Sequence, residues 1–281
     1  MKHFIFCCVL AGATLPAFAQ KTITGRVSEA PSGEALAYVS IGIPGTSIGT
    51  VSGEDGRFTL EIPEKTALSD RDSMQFYLLG YRPQTMPFGA AVSGMLDIRL
   101  EPGVLQLREV VIRPDETRLK VLGKVKSKYR MVVNYALEGK INQNLGAEIG
   151  RRFTVKKPTR LESFQFFVAA NNFDTVRFRI NVYDLQKGKP GDNLLHEQII
   201  VPLVGKKTGW VKVDLQAYEV YAEDDLVVGV EWIYGSKGGT ELTIPIAMPA
   251  PGSKHFYKYG SRNRWKAFTA MSAAMTLEVR Q

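Results

Sequence analysis

Along the first hundred-odd residues the apolar positions recur with a period of two, in short runs separated by turn residues. The runs are Ile23 and Val27; Val39, Ile41 and Ile43; Phe58, Leu60 and Ile62; Met74, Phe76 and Leu78; Leu96, Ile98 and Leu100; and Val110 with Ile112. Alternation places these side chains on one face of a pleated strand, so each run predicts a half-buried strand in an antiparallel sheet, with no helix among them. A short strand from Gly49 to Ser52 brings the number to seven. Seven short strands must cover their apolar faces with one another, which predicts a two-sheet sandwich. Pro44-Gly45 and Gly53-Glu54-Asp55-Gly56 supply the turns, and Pro83 ends the strand that finishes near Leu79. Glu54-Asp55 lacks the alternating oxygen ligands of a calcium loop and is read as a turn.

From Leu119 onward the pattern is again strand-like. Val176, Phe178, Ile180 and Val182 alternate with Arg177, Arg179 and Asn181; Val211, Val213 and Leu215 alternate with Lys212 and Asp214; Leu226, Val228, Val230, Trp232 and Tyr234 share a face. About eight such strands predict a second sandwich, of jelly-roll type. Lys187 to Asn193 reads as a turn, and Trp210 and Trp232 as core. Residues 115–138 admit two readings. Leu119, Leu122, Val125, Tyr129 and Val132 have helical spacing, but Gly123 interrupts it and Lys120, Lys124, Lys126, Lys128 and Arg130 would surround the helix. The alternation at Lys124-Val125-Lys126 favours an edge strand whose lysines block further pairing.

The N-terminus changes the setting. Lys2, an apolar run from Phe4 to Leu15 and then Pro16-Ala17-Phe18-Ala19 form an export signal cut after Ala19. Cys7 and Cys8 lie inside it, ahead of most of the apolar run, so acylation is not expected and the exported chain carries no thiol, disulfide or cysteine-bound metal. No later segment approaches the roughly 20 apolar residues of a membrane span. The expected location is periplasm, outer-membrane surface or extracellular medium. The expected division is 1–19 signal, 20–113 first sandwich, 114–118 linker and 119–281 second sandwich.

Charge is unevenly spread. Gln20 to Arg113 holds 9 basic and 11 acidic residues, Pro114 to Arg160 holds 12 and 4, and Leu161 to Gln281 holds 14 and 13. The basic middle offers Lys124, Lys126, Lys128, Arg151, Arg152, Lys156 and Lys157 as a contact surface for anionic polysaccharide, lipid headgroups or acidic protein, or else as a solvated strand face. Export argues against nucleic acid.

Five motifs in order then resemble one family. They are Ile23-Thr24-Gly25-Arg26-Val27, Gly33-Glu34-Ala35-Leu36-Ala37-Tyr38-Val39, Gly45-Thr46 to Gly49-Thr50, Asp55-Gly56-Arg57-Phe58 and Leu79-Gly80-Tyr81, and they are similar to the carboxypeptidase-regulatory-like domain. The resemblance covers about a third of the chain. It implies a transthyretin-like β-sandwich, a non-catalytic accessory role and a Bacteroidetes-type envelope, where such domains often precede TonB-dependent outer-membrane transporters. No metallocarboxypeptidase domain follows, and the remaining chain is too short for a plug and large barrel. The phrases Phe178 to Tyr183, Gly209 to Leu215 and Val228 to Trp232 resemble the C-terminal region that accompanies this domain in uncharacterised exported proteins, which brings architecture without activity.

Chemistry is sparse. Beyond the signal only His196 and His255 remain, in no zinc-ligand spacing, and there is no nucleophile elbow or phosphate loop. Glu223-Asp224-Asp225 lies in one turn, not across a substrate. No cofactor, metal or catalytic residue is assigned, and the chain is read as a non-enzyme. Aromatic and cationic side chains interleave from Lys254 to Trp265, and Tyr257, Tyr259, Arg262, Arg264 and Trp265 are the candidate ligand contacts. The competing reading puts Phe256 in the core, Tyr257 and Tyr259 along one side of a strand, and Trp265 as a cap. The expected function is an envelope binding or scaffolding protein recognising a glycan or a protein partner. The alternative is a polysaccharide hydrolase built from carboxylates distant in sequence.

Overall fold

A computed structural model describes residues 21–63, 66–91, 94–103, 118–123, 129, 131–136 and 144–281. The proposed signal, the strand expected at Val110 and Ile112, and Lys124, Lys126 and Lys128 lie outside these residues.

The first half contains β1 (Lys21–Glu29), β2 (Ser40–Gly42), β3 (Gly49–Val51), β4 (Arg57–Ile62), β5 (Ser73–Tyr77), β6 (Gln84–Pro87), the one-turn helix α1 (Phe88–Ala91) and β7 (Leu96–Leu100). They form two sheets, β4-β1-β7 and β3-β2-β5-β6. Alternation delivers the core as expected: Ile23, Val27, Val39, Ile41, Phe58, Leu60, Met74, Phe76, Ile98 and Leu100 are all buried in one cluster. At the β3–β4 turn, Gly56 takes φ +74°, where a Cβ would run into the carbonyl of Val27. Two features depart from the expectation. β7 runs parallel to β1, because the chain crosses to the other sheet and returns before pairing. Phe88 and Ala91, three residues apart on α1, both drop into the core, a spacing too brief to show as helical periodicity.

The second half contains β8 (Leu119–Leu122), β9 (Met131–Asn134), β10 (Glu148–Phe153), β11 (Thr159–Val168), β12 (Ala170–Asn171), β13 (Thr175–Gln186), β14 (Lys189–Asn193), β15 (Ile199–Val204), β16 (Gly209–Asp214), β17 (Tyr221–Ala222), β18 (Leu226–Gly235), β19 (Leu242–Ala247), β20 (Lys254–Lys258), β21 (Lys266–Thr269), β22 (Ser272–Ala273) and β23 (Met275–Arg280). The large sheet runs β14-β13-β18-β10-β20-β21, with β15 also on β13. A second sheet, β16-β11-β23-β8, packs against it, and a third runs β12-β19-β22 with β9 on β19. Rings join the layers: Phe166 of β11 meets Phe178 of β13 edge-on at 5.3 Å, and Phe173 meets Trp232 at 5.5 Å. The fold is all-β throughout, and the described parts of 115–138 include strands at β8 and β9.

Three local expectations are corrected. Strands outnumber the eight foreseen, because several have only two to six residues. The turn foreseen from Lys187 to Asn193 is confined to its start, where Lys187 and Gly188 have φ of 49° and 76°; Lys189 onward is β14, folded back on β13. Trp210 is 43% exposed and packs outward against Phe167 at 5.3 Å, because it shares strand parity with Lys212 while Val211 and Val213 face the core.

β18 is buried on both faces, at every position except Tyr234. Val228, Val230 and Trp232 enter the sandwich core, while Ile233 packs with Tyr38 and Val51 of the first half. The first half therefore covers the outer face of the large sheet.

Candidate functional site

The covered face carries a row of charge. Arg179 on β13 lies opposite Glu231 on β18, Glu231 opposite Glu148 on β10, and Glu148 opposite Lys258 on β20. Four neighbouring strands thus place two carboxylates between two cations. Arg179 Nε donates to Glu231 at 2.9 Å, Lys258 Nζ lies 2.6 Å from Glu148, and the amide nitrogen of Asn181 donates to both carboxylates at 2.9 and 3.0 Å. Tyr183 donates its hydroxyl to Glu148 at 3.1 Å, and Asn193 donates to the Asn181 carbonyl oxygen at 3.1 Å. Gly229 lies within the row's footprint, and a Cβ there would fall on the Glu148 carboxylate.

Arg179 also ties the halves together. Its Nη1 donates to the Tyr38 carbonyl at 2.8 Å and to Gln198 at 2.9 Å, and its Nη2 donates to the Ser40 hydroxyl at 2.6 Å. Tyr38, in the left-handed region at φ 60°, presents that carbonyl while its hydroxyl donates to Glu54, which pairs with Arg177 at 2.9 Å. On the other flank Arg262 donates to Gln75 at 3.1 Å and lies over the Tyr77 ring at 4.8 Å. Beside it the backbone of Ser261 crosses so close that a Cβ at Gly49 would lie 2.6 Å from its carbonyl oxygen.

Above the row opens a cleft of about 310 Å³. Ser40 and Tyr77 line it from the first half, Asp192 and Asn193 from the hairpin after β13, and Arg262, Asn263 and Trp265 from the loop after β20. Trp265 meets Tyr183 and Phe256 edge-on at 5.7 and 6.3 Å, with the Lys258 ammonium 5.0 Å from its ring centre.

Burial sets the electrostatics. Desolvation raises the Glu148 carboxyl above its ordinary value, with Lys258 pulling the other way. Desolvation also pushes Glu231 up, but Arg179 and Lys258 outweigh it and hold that carboxyl at about 2. Burial, reinforced by Glu148 and Glu231, raises the Tyr183 hydroxyl well above the ordinary phenol range and keeps it a donor. Arg179 and Lys258 hold Glu231 firmly as an anion, while burial makes Glu148 bind its proton more tightly than an ordinary carboxyl against the pull of Lys258, and every member of the row is hydrogen-bonded.

The sequence-derived candidates are only partly gathered here. Arg262 and Trp265 line the cleft. Arg264 lies beside Gly45 of the first half, and Tyr259 stands 37% exposed with Lys266 over its ring at 5.0 Å. Tyr257 is not a surface contact: strand parity turns it into the sandwich core, where its hydroxyl accepts from Asn144 at 3.3 Å. Phe256, on the opposite parity, is the ring beneath Trp265. In the basic surface, Lys156 and Lys157 are exposed, and Arg152 is half-buried and 3.7 Å from Asp225. Arg151 points inward and is buried. His196 is exposed and His255 is buried. Among the described residues no group of three or more His, Cys, Asp or Glu could hold a metal. Sequence reading missed Arg179, Asn181, Glu148, Glu231 and Lys258, whose alternation is that of ordinary outward polar positions.

The half that covers the row is recognisable. Residues 23–112 match the CarboxypepD_reg-like domain. Over 104 residues the chain is 31% identical to "TonB-dependent receptor P3" of Formosa agariphila, a match covering 37% of this chain and 10% of the receptor. The match therefore spans about a tenth of that relative's length. Among solved structures, the cysteine protease and lectin-like domains of Cwp84, a surface layer associated protein of Clostridium difficile, align at TM-score 0.41 and 10% identity over 96% of this chain and 66% of that one. BcpA, the major pilin subunit of Bacillus cereus, aligns at TM-score 0.19 and 9% identity over 92% and 69%. No helix among the described residues is long and apolar enough to cross a membrane.

Proposed function

We propose that the chain is an exported, non-catalytic binding component of a bacterial envelope, and that the junction cleft takes an uncharged, hydroxyl-rich ligand, a glycan. The observation that carries this reading is the internal balance of charge beneath the cleft. Arg179 and Lys258 are answered by Glu231 and Glu148, so the floor offers directional hydrogen bonding without a net charge to attract an ion. Asn193, Asn263 and Asp192 supply amide and carboxylate groups at the rim, and Trp265 supplies an aromatic wall. The CarboxypepD_reg-like domain and the chain's likeness to a segment of a TonB-dependent receptor support an accessory role at the envelope.

One observation favours a hydrolase as the second reading: Glu148 and Glu231 are paired carboxylates whose proton affinities are pushed apart. Their placement argues against it. They stand side by side on adjacent strands, share one amide donor and are engaged by Tyr183, Arg179 and Lys258, whereas glycoside hydrolysis needs two carboxylates facing each other across the bond.

The test is thermal unfolding of the full chain against a panel of neutral and acidic oligosaccharides, alongside an assay for released reducing ends. A neutral glycan at about 100 times its Kd is expected to add about 2.7 kcal/mol to the folded state, and Trp265→Ala to abolish the gain while leaving the ligand-free protein folded. No gain with any neutral glycan, or a gain that survives Trp265→Ala, contradicts the cleft. Sugar release that Glu231→Gln removes would replace it with the hydrolase.

A further inference from the structure

A second cavity, of about 410 Å³, opens on the far side of β10. Its walls come from Gly123 after β8, Arg151 and Phe153 of β10, Ala250 of the loop after β19, and Ser272 of β22. At its base lies a cation without an anion. Arg151 is only 5% exposed, yet among the described residues no carboxylate pairs with it; its cross-strand neighbours are Val228 and His255. Its Nη1 donates to the carbonyls of Gly123, Ala273 and Met275, which anchors the guanidinium from one side. Among the described residues its Nε has no partner, and neither has the buried hydroxyl of Tyr129, which lines the same cavity. Desolvation lowers the affinity of Arg151 for its proton to about 10, with Tyr129 opposing, a mark of how little compensates the charge.

A buried charge left unpaired is costly, and hydrogen bonds to carbonyl groups stabilise it without neutralising it. The contrast with the junction is direct: there each buried cation meets a carboxylate, whereas here the cation faces open volume. We propose that this cavity binds a carboxylate carried on a small ligand. The other cation on the wall, Arg152, already pairs with Asp225 at 3.7 Å, so one unpaired positive charge is matched by one negative one, and the planar guanidinium of Arg151, fixed on its Nη1 side, has its Nε side left for a planar carboxylate. The Tyr129 hydroxyl donates to the same group. Phe153, 5.4 Å from the guanidinium carbon, and Ala250 give the rest of the ligand an apolar wall. Such a carboxylate belongs to a uronic acid or to the end of a short peptide, which the experiment separates.

The probes are galacturonate, its methyl ester, N-acetyl-alanine and inorganic sulfate, each titrated into the full chain by calorimetry up to about 10 mM, well above a millimolar Kd. Saturable binding of galacturonate or N-acetyl-alanine, with the ester at least tenfold weaker, is the expected result, and the better of the two names the source. Tyr129→Phe is expected to weaken it several-fold without disturbing the fold, and Arg151→Met to abolish it. If Arg151→Met fails to fold, Tyr129→Phe carries the test. No saturable carboxylate binding, an ester that binds equally well, sulfate binding more tightly, or affinity unchanged in Tyr129→Phe would overturn the proposal. Trp265→Ala leaves this binding intact, so the cavity and the junction cleft stand or fall separately.

Discussion

His255 on β20 is 2% exposed, with its ring 5.8 Å from that of Phe268 and its Nδ1 without a partner among the described residues. Desolvation lowers its pKa from 6.5 to about 4, so the folded chain holds it neutral while the unfolded chain protonates it near pH 6.5. A depressed folded-state pKa contributes stability that is complete above pH 6.5 and lost as pH falls through about 4, a loss on the order of 3 kcal/mol. Glu231, held at about 2, loses its contribution only as pH falls below 4.5, and Glu148, raised, acts in the opposite sense. Comparing urea unfolding of the wild type with His255→Gln between these pH values isolates the imidazole: the wild type loses stability on acidification and the variant loses much less. Equal slopes would show that His255 is protonated in the folded chain. The residue scale is also where sequence reading met its limits. Aromatic character outweighs parity in reading Trp210 as core and in counting Tyr257 among the candidate contacts, although Lys212, two residues from Trp210, marks the outward face.

At the scale of strands the alternation was legible almost everywhere it could be checked. Val176, Phe178, Ile180 and Val182 face the core as β13 requires, and the β1, β4 and β5 sets do likewise. The fate of the opposite face was not legible, because alternation tells which residues point away from one core and not whether another layer covers them. One signal was present: β18 carries Val227 and Ile233 on its polar face, a double-sided apolar strand of the kind found between two layers. Pairing of Glu148 with Glu231, 83 positions apart by their residue numbers, depends on register that no local pattern encodes. The strand row makes its own prediction. Gly229→Ala drives a methyl group into the Glu148 carboxylate and is expected to destabilise the fold by about 1–3 kcal/mol, measured by denaturant unfolding. Gly229→Ala in a Glu148→Ala background, where the colliding side-chain atoms are gone, would add less cost if the collision is with that side chain, and the same cost if the strain lies in the backbone.

The whole molecule is two sandwiches sharing one polar seam. A CarboxypepD_reg-like domain supplies Tyr38, Ser40 and Tyr77, the larger sandwich supplies the charged row, and the cleft belongs to neither alone. Arg179 is the residue on which this depends, since it bonds Glu231 within its own sandwich and both Tyr38 and Ser40 across the seam. Removing it leaves Glu231 buried with its main counter-charge gone, a change that typically costs about 3–5 kcal/mol. Scanning calorimetry of the wild type and Arg179→Met tests the seam most directly. A shared seam predicts one cooperative transition in the wild type, and in Arg179→Met a lower first transition with the CarboxypepD_reg-like domain melting apart from the larger sandwich. Two independent transitions in the wild type, with that of the CarboxypepD_reg-like domain unmoved by Arg179→Met, would contradict it.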